Sequence, residues 1–212
     1  MDFDDPQHVD RVRRFWRAPN MATQPGLKAV DMFRAVDAGR IKAIWIMATN
    51  PVVSLPDADR VRAALRHCEL VLVSDCMANT DTTACADVLL PAAAWGEKDG
   101  TVTNSERRVS RQRTFLPPPG EAKPDWWIVS EVAKRLGYAE AFSFQSPAQI
   151  FREHAALSGF ENNGTRDFDL SGLTQVSDET YTQMQPVQWP VRSAQPGGTI
   201  RMFGDGKFFT AS

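Results

Sequence analysis

Residues 41–75 read IKAIWIMATNPVVSLPDADRVRAALRHCELVLVSD, and the fold depends on how this stretch is parsed. The run from Ile41 to Thr49 is compact and apolar, and it ends at Asn50-Pro51, a turn signal. The segment DADRVRAALRHC, residues 57–68, repeats its apolar positions at helical spacing. It carries Asp57 and Asp59 in its first turn, where acidic groups complement the helix dipole. LVLVSD, residues 70–75, is a second short apolar run. Two such runs with a helix between them predict buried parallel strands joined by a right-handed crossover and covered on both faces.

The same alternation extends outward. LKAVDMFRAVDAGR, residues 27–40, places Leu27, Val30, Phe33 and Val36 on one helical face, with Gly39 as its stop. TTACAD (82–87) predicts a short helix, and VLLPAAAW (88–95) a third apolar run closed by Pro91. After the Pro-rich loop LPPPGEAKPD (116–125), DWWIVSEVAKRLG predicts a helix stopped by Gly137. The expected fold is therefore α/β: an open, doubly wound, mainly parallel sheet over residues 26–138. Residues 1–25, charged and Pro-rich, read as a linker segment. Residues 139–186 read as a helical and loop extension, with helices over 146–159 and 178–184. The end of the chain, within residues 187–212, reads as a β-hairpin turning at Gly204-Asp205-Gly206.

Composition narrows the function. The hydrophobic fraction is 42%, enough for a packed core. Lys and Arg total 24 against 26 Asp and Glu, a near balance that argues against a nucleic-acid partner. Any anion must be held by a few placed groups. No run is long and apolar enough to span a membrane, and MDFDDPQHVDRVRRFW lacks the apolar core of a secretory signal. The expected location is cytoplasmic. Cys68, Cys76 and Cys85 form no Cys-x-x-Cys and read as buried, reduced thiols. His8, His67 and His154 read as surface or locally satisfied residues.

Open α/β sheets bind ligands beyond the carboxyl ends of their strands. Thr49-Asn50 and Ser74-Asp75 end two of the apolar runs there. Such groups suit phosphate, ribose hydroxyls or a guanine edge, or they merely shape a turn and cap a helix. Neither Gly-x-Gly-x-x-Gly nor Gly-x-x-x-x-Gly-Lys-Ser/Thr occurs, so the common nucleotide fingerprints are absent.

The most distinctive stretch is ADVLLPAAAWGEKDGTVTNSERRVSRQR, residues 86–113. Local periodicity reads it as a strand followed by a solvated basic loop. As a whole string it resembles the bis-molybdopterin guanine dinucleotide oxidoreductases, nitrate reductases and formate dehydrogenases among them. WIMATNP (45–51), VSD (73–75), Thr80-Asp81-Thr82 and PGEAKPDWWIVSEVAKRLG (119–137) extend the likeness in the same order. HAALSGFENNGTRDFDLSGL (154–173), PVQWPV (186–191) and TIRMFGDGKFF (199–209) look most like the assimilatory nitrate reductase branch.

The resemblance implies that this α/β segment grips one guanine dinucleotide arm through Asn50, Ser74, Asp75, Lys98 and Asp125. Asn50 would meet phosphate or pterin, Ser74 and Asp75 ribose or guanine, Lys98 phosphate or the base, and Asp125 the guanine donors. It assigns no catalytic residue and no metal ligand to this chain. An iron–sulfur cluster, the molybdenum ligand and most of a closing domain would belong to other parts of the parent subunit, and residues 187–212 would begin that closing domain, truncated here. Those domains and an electron-donor protein or domain are the implied partners. The chain alone is expected to hold no cofactor and to be inactive. The alternatives are the same piece of a formate dehydrogenase-like subunit, or a stand-alone nucleotide-binding or assembly module. Arg107 and Arg108 read as a solvated strand edge or as domain-contact salt bridges. Trp126 and Trp127 read as core or interdomain packing.

Overall fold

The computed structural model describes residues 2–192, 198–204 and 206–207. Along the chain run α1 (Pro6–Trp16), α2 (Ala29–Asp37), β1 (Ala43–Met47), α3 (Pro51–Ser54), α4 (Ala58–His67) and β2 (Leu70–Asp75). Then follow β3 (Val88–Pro91), β4 (Gly100–Thr103), β5 (Arg108–Gln112) and α5 (Asp125–Ala133). The last elements are α6 (Pro147–Gly159), α7 (Asp178–Gln183) and β6 (Val187–Gln188). The chain divides into two compact units, 24–98 with 114–142, and 1–23 with 99–113 and 143–212.

The first unit holds a three-stranded parallel sheet in the order β1-β2-β3, as the alternating apolar runs predict. Ile44 pairs with Val71 and Ile46 with Val73, which sets these four side chains on one face. Phe33 and Val36 of α2, Val52 of α3, and Val61, Ala64 and Leu65 of α4 close over them as one core. Leu65, Val52, Val71 and Val73 are fully buried. The opposite face differs from the expected double covering. It carries Trp45, Met47, Leu72 and Leu90, all half-buried, and Val88, which is exposed. A fourth extended piece extends the sheet at β3, where Ala92 bridges in parallel to Lys123. The helix beginning at Asp125 widens into a π turn at Lys134–Tyr138, which contains Gly137, whose φ of 96° only glycine adopts readily.

The second unit holds an antiparallel sheet in the order β4-β5-β6. The expected solvated basic loop is therefore a hairpin. Its turn is fixed by the Asn104 side chain, which accepts from the N–H groups of Glu106 and Arg108 at 3.0 and 3.1 Å. Val109 and Val187 of the sheet share a core with Phe151 of α6, Tyr181 of α7 and Leu170. The segment read as an N-terminal linker is the helix α1. Asp5 caps it by accepting from the Gln7 N–H, Pro6 opens it, and Val9 is buried. Phe15 packs edge-on against Phe160 at 5.3 Å, and Arg14 grips Glu161. The hairpin expected near the C-terminus lies partly outside the described residues; 199–204 and 206–207 form no strand, and the pairing described there is a parallel bridge from Gly198 to Gln188. Cys68 and Cys85 are half-buried, but Cys76 is exposed, because it follows the strand end at Asp75.

Candidate cofactor-binding edge

The parallel sheet delivers the polar residues of the first unit to one edge. β1 ends at Met47, and the Ala48 N–H donates to the Ser74 carbonyl at 3.1 Å. β2 ends at Asp75, whose carbonyl accepts from Ala92 at 3.0 Å. β3 ends at Pro91, whose carbonyl accepts from Lys123 at 3.0 Å, and Ala93 donates back to Lys123 at 2.9 Å. Two residues on, Asp125 opens α5. Asn50, Ser74, Asp75 and Asp125 thus stand along one carboxyl edge. The row from β1 to the Lys123 segment spans three strand spacings, about 14 Å.

Asn50 does not cap α3 with its side chain. Its Oδ1 accepts the Thr82 hydroxyl at 2.6 Å, while Thr82 Oγ1 accepts from the Val52 N–H at 3.2 Å. A hydroxyl has one hydrogen to give, so this chain of bonds has one consistent direction. Thr82 is fully buried and, by binding Oδ1, leaves the NH2 end of the amide without an acceptor among the described residues. The Thr80-Asp81-Thr82 motif does not announce this role in the sequence. The contact joins residues 32 apart and leaves no spacing signature.

Ser74 is 1% exposed, and its hydroxyl accepts from the Trp45 indole N–H at 2.8 Å. Its side chain therefore fixes the strand end and does not face solvent. Asp75 accepts from the Met77 N–H through Oδ1 at 2.9 Å. Among the described residues nothing donates to its other carboxylate oxygen.

Lys98 donates to Asp125 Oδ2 at 2.6 Å, and the two side chains are 28% and 32% exposed. Sequence spacing gave no sign of this pair. The Lys98 turn is held in place locally. Glu97 accepts from the Ala94 N–H at 2.8 Å, and the Gly96 carbonyl accepts from Phe115 and Leu116 at 2.9 and 3.0 Å. A Cβ at Gly96 would lie 2.6 Å from the tip of the exposed Phe115 ring, which would have to swing aside. Trp127, 40% exposed, lies under the Lys123 ammonium at 5.6 Å, and Trp126 is half-buried. Arg107 and Arg108 belong to the second unit. Arg107 donates to the carbonyls of Trp189, Thr199 and Ile200 and lies over the Trp189 ring at 5.5 Å, while Arg108 pairs loosely with Glu106 at 3.4 Å.

The edge offers oriented N–H donors, an ammonium group and two carboxylates. This is a binding chemistry for phosphoryl oxygens and for the paired N–H groups of a purine edge. Among the described residues, no three His, Cys, Asp or Glu side chains gather as a metal site. No helix there is long and apolar enough to cross a membrane.

Fold and edge together define an α/β protein that presents a polar row at the carboxyl ends of parallel strands. Residues 6–135 match the family model of the molybdopterin oxidoreductases. The chain belongs to the molybdopterin oxidoreductase family. It is 52% identical over 200 residues to a nitrate reductase of Klebsiella oxytoca, covering 94% of this chain and 23% of the relative. It is 47% identical over 199 residues to the F420-dependent formate dehydrogenase subunit alpha of Methanocaldococcus jannaschii, covering 92% and 27%. Acetylene hydratase from Pelobacter acetylenicus shares the fold, with a TM-score of 0.58 and 20% identity over 76% of this chain and 20% of that one. The chain spans about a quarter of the length of the curated relatives it matches.

Proposed function

We propose that these residues grip one guanine dinucleotide arm of a bis-molybdopterin guanine dinucleotide cofactor in a cytoplasmic nitrate reductase of the assimilatory kind, which converts nitrate to nitrite. The observation that carries this reading is the strand-end row itself, with the Asn50 amide turned by Thr82 to present its NH2 group. The donor set fits the group. Asn50 would donate to a phosphoryl oxygen. Asp75 would accept from ribose or guanine, with Ser74 fixing its strand end. Lys98 would meet phosphate with its remaining hydrogens, and Asp125 would take the guanine donors. When bound, the molybdenum–pterin group supplies the redox chemistry. This chain's residues bind and orient the far end of the cofactor. An iron–sulfur cluster, the remaining domains of the subunit and an electron donor are proposed partners, and the chain alone is expected to be inactive with nitrate.

Nitrate is favoured as the substrate because the relative at 52% identity is a nitrate reductase. A formate dehydrogenase-like role is the second reading, and the relative at 47% identity supports it. Calorimetric titration with GDP and ADP tests the grip. Asp75→Ala and Asp125→Ala should each weaken GDP by about 1–3 kcal/mol, the usual consequence of leaving donors unpaired. Lys98→Ala should weaken GDP and ADP alike. Equal affinity for GDP and ADP in the unaltered chain would overturn the guanine assignment.

A further inference from the structure

The second unit contains a cleft of about 420 Å3 that the proposed cofactor grip does not use. It lies among α1, α6 and the loop that follows α6. Every titratable side chain lining it is basic: His8, Arg11, His154 and Arg166. Trp16 and Phe168 supply flat apolar walls.

Arg11 is the unusual member. Its side chain is only 19% exposed, yet among the described residues it has no carboxylate closer than Glu161, 3.6 Å from its Nε. That Nε is buried and makes no hydrogen bond. Glu161 is already committed, since both of its oxygens accept from Arg14, and Asp10 is taken by Arg13 and Arg14. One terminal nitrogen of Arg166, Nη2, donates to neutral carbonyls, those of Ser158 at 3.1 Å and Phe160 at 2.8 Å. Burial, and then the positive charge of Arg11, holds the Arg166 guanidinium below its ordinary pKa. Burial of its ring likewise pushes the His154 imidazole down. Buried N–H donors without acceptors are costly and uncommon, and the two carboxylates that act on these guanidinium groups, Glu161 and Asp169, already accept from Arg14 and from Asn162 and Ser171.

We propose that this cleft binds a small aromatic carboxylate, whose oxygens accept from Arg11 and Arg166 while its ring lies against Trp16 and Phe168. A carboxylate matches the forked guanidinium donors, and an aromatic body matches the flat walls. Nothing in this assignment depends on the cofactor grip, which belongs to the other unit.

Benzoate is the probe, with benzyl alcohol as its uncharged counterpart, titrated into the isotope-labelled 212-residue chain. Benzoate should shift the Arg11 Nε–H and Trp16 Nε1–H resonances and saturate. Benzyl alcohol should bind at least about tenfold more weakly, and Arg11→Gln should weaken benzoate by about tenfold or more. Should Arg11→Gln fail to fold, the comparison of benzoate with benzyl alcohol in the unaltered chain decides alone. Equal binding of the two probes would reduce the cleft to an apolar groove and overturn the proposal. So would millimolar benzoate that moves neither resonance.

Discussion

At the scale of the residue, the account rests on how Thr82 sets Asn50. The hydroxyl takes the Val52 N–H and gives its hydrogen to the Asn50 carbonyl oxygen, so both bonds depend on one buried group. Thr82→Val keeps the shape and removes the hydroxyl, leaving a buried N–H and an amide oxygen unpaired. Denaturant unfolding should show a loss of about 1–3 kcal/mol, while Thr82→Ser recovers most of it. The Asn50 side-chain NH2 resonances should move in the valine variant and return in the serine variant. A valine variant as stable as the unaltered chain, with unmoved Asn50 signals, would show that the hydroxyl does not set the amide. Asn50 and Asp75 were legible in the sequence because a polar residue after an apolar run marks a strand end. Thr82 and the Lys98–Asp125 pair were not, because they meet across 32 and 27 residues of intervening chain. Arg107 was read as an edge or ion-pair residue, yet its partners are main-chain carbonyls, which no side-chain pattern announces.

At the scale of the element, the strands and long helices are readily legible in the residues, and the charged elements are poorly so. The parallel strands announce themselves as apolar runs. α1 hides its few apolar positions, Val9, Val12, Phe15 and Trp16, among charged neighbours, and β4 and β5 are too polar to alternate clearly. The turn-rich segment after α6 is firmer than its composition suggests. Asn162 Nδ2 donates to Asp169 Oδ2 at 2.9 Å, and Asp169 Oδ1 accepts from Ser171 at 2.9 Å. Burial alone would raise the Asp169 pKa, but the Ser171 and Asn162 bonds and the nearby Arg192 outweigh it and hold the carboxyl below its ordinary value. A folded-state pKa below the unfolded one adds stability at pH above the unfolded value, and that stability is lost as pH falls through the folded value. Asp169→Asn should therefore destabilise the chain at neutral pH, with the difference shrinking as the medium is acidified below the ordinary aspartate range. Thermal unfolding across that window checks the sign, and a difference that grew on acidification would contradict it.

At the scale of the whole molecule, the two units are each built from discontinuous stretches, so segment boundaries drawn along the sequence do not coincide with them. The hairpin 99–113, read as part of the α/β segment, belongs with the first 23 residues and the C-terminal part. The parallel-sheet unit is also the less fully sheathed. Among the described residues, every exposed large apolar side chain except Trp16 and Ile200 belongs to it. An open edge of this kind should hold a nucleotide weakly, on the order of millimolar to tens of micromolar for GDP. The central claim is that the strand-end row is a guanine nucleotide site, and resonance mapping of GDP on the labelled chain tests it most directly. The account predicts shifts concentrated around Asn50, Asp75, Lys98 and Asp125, with ADP producing smaller ones at the same positions. Shifts that avoid all four residues, or an identical response to ADP, would contradict it.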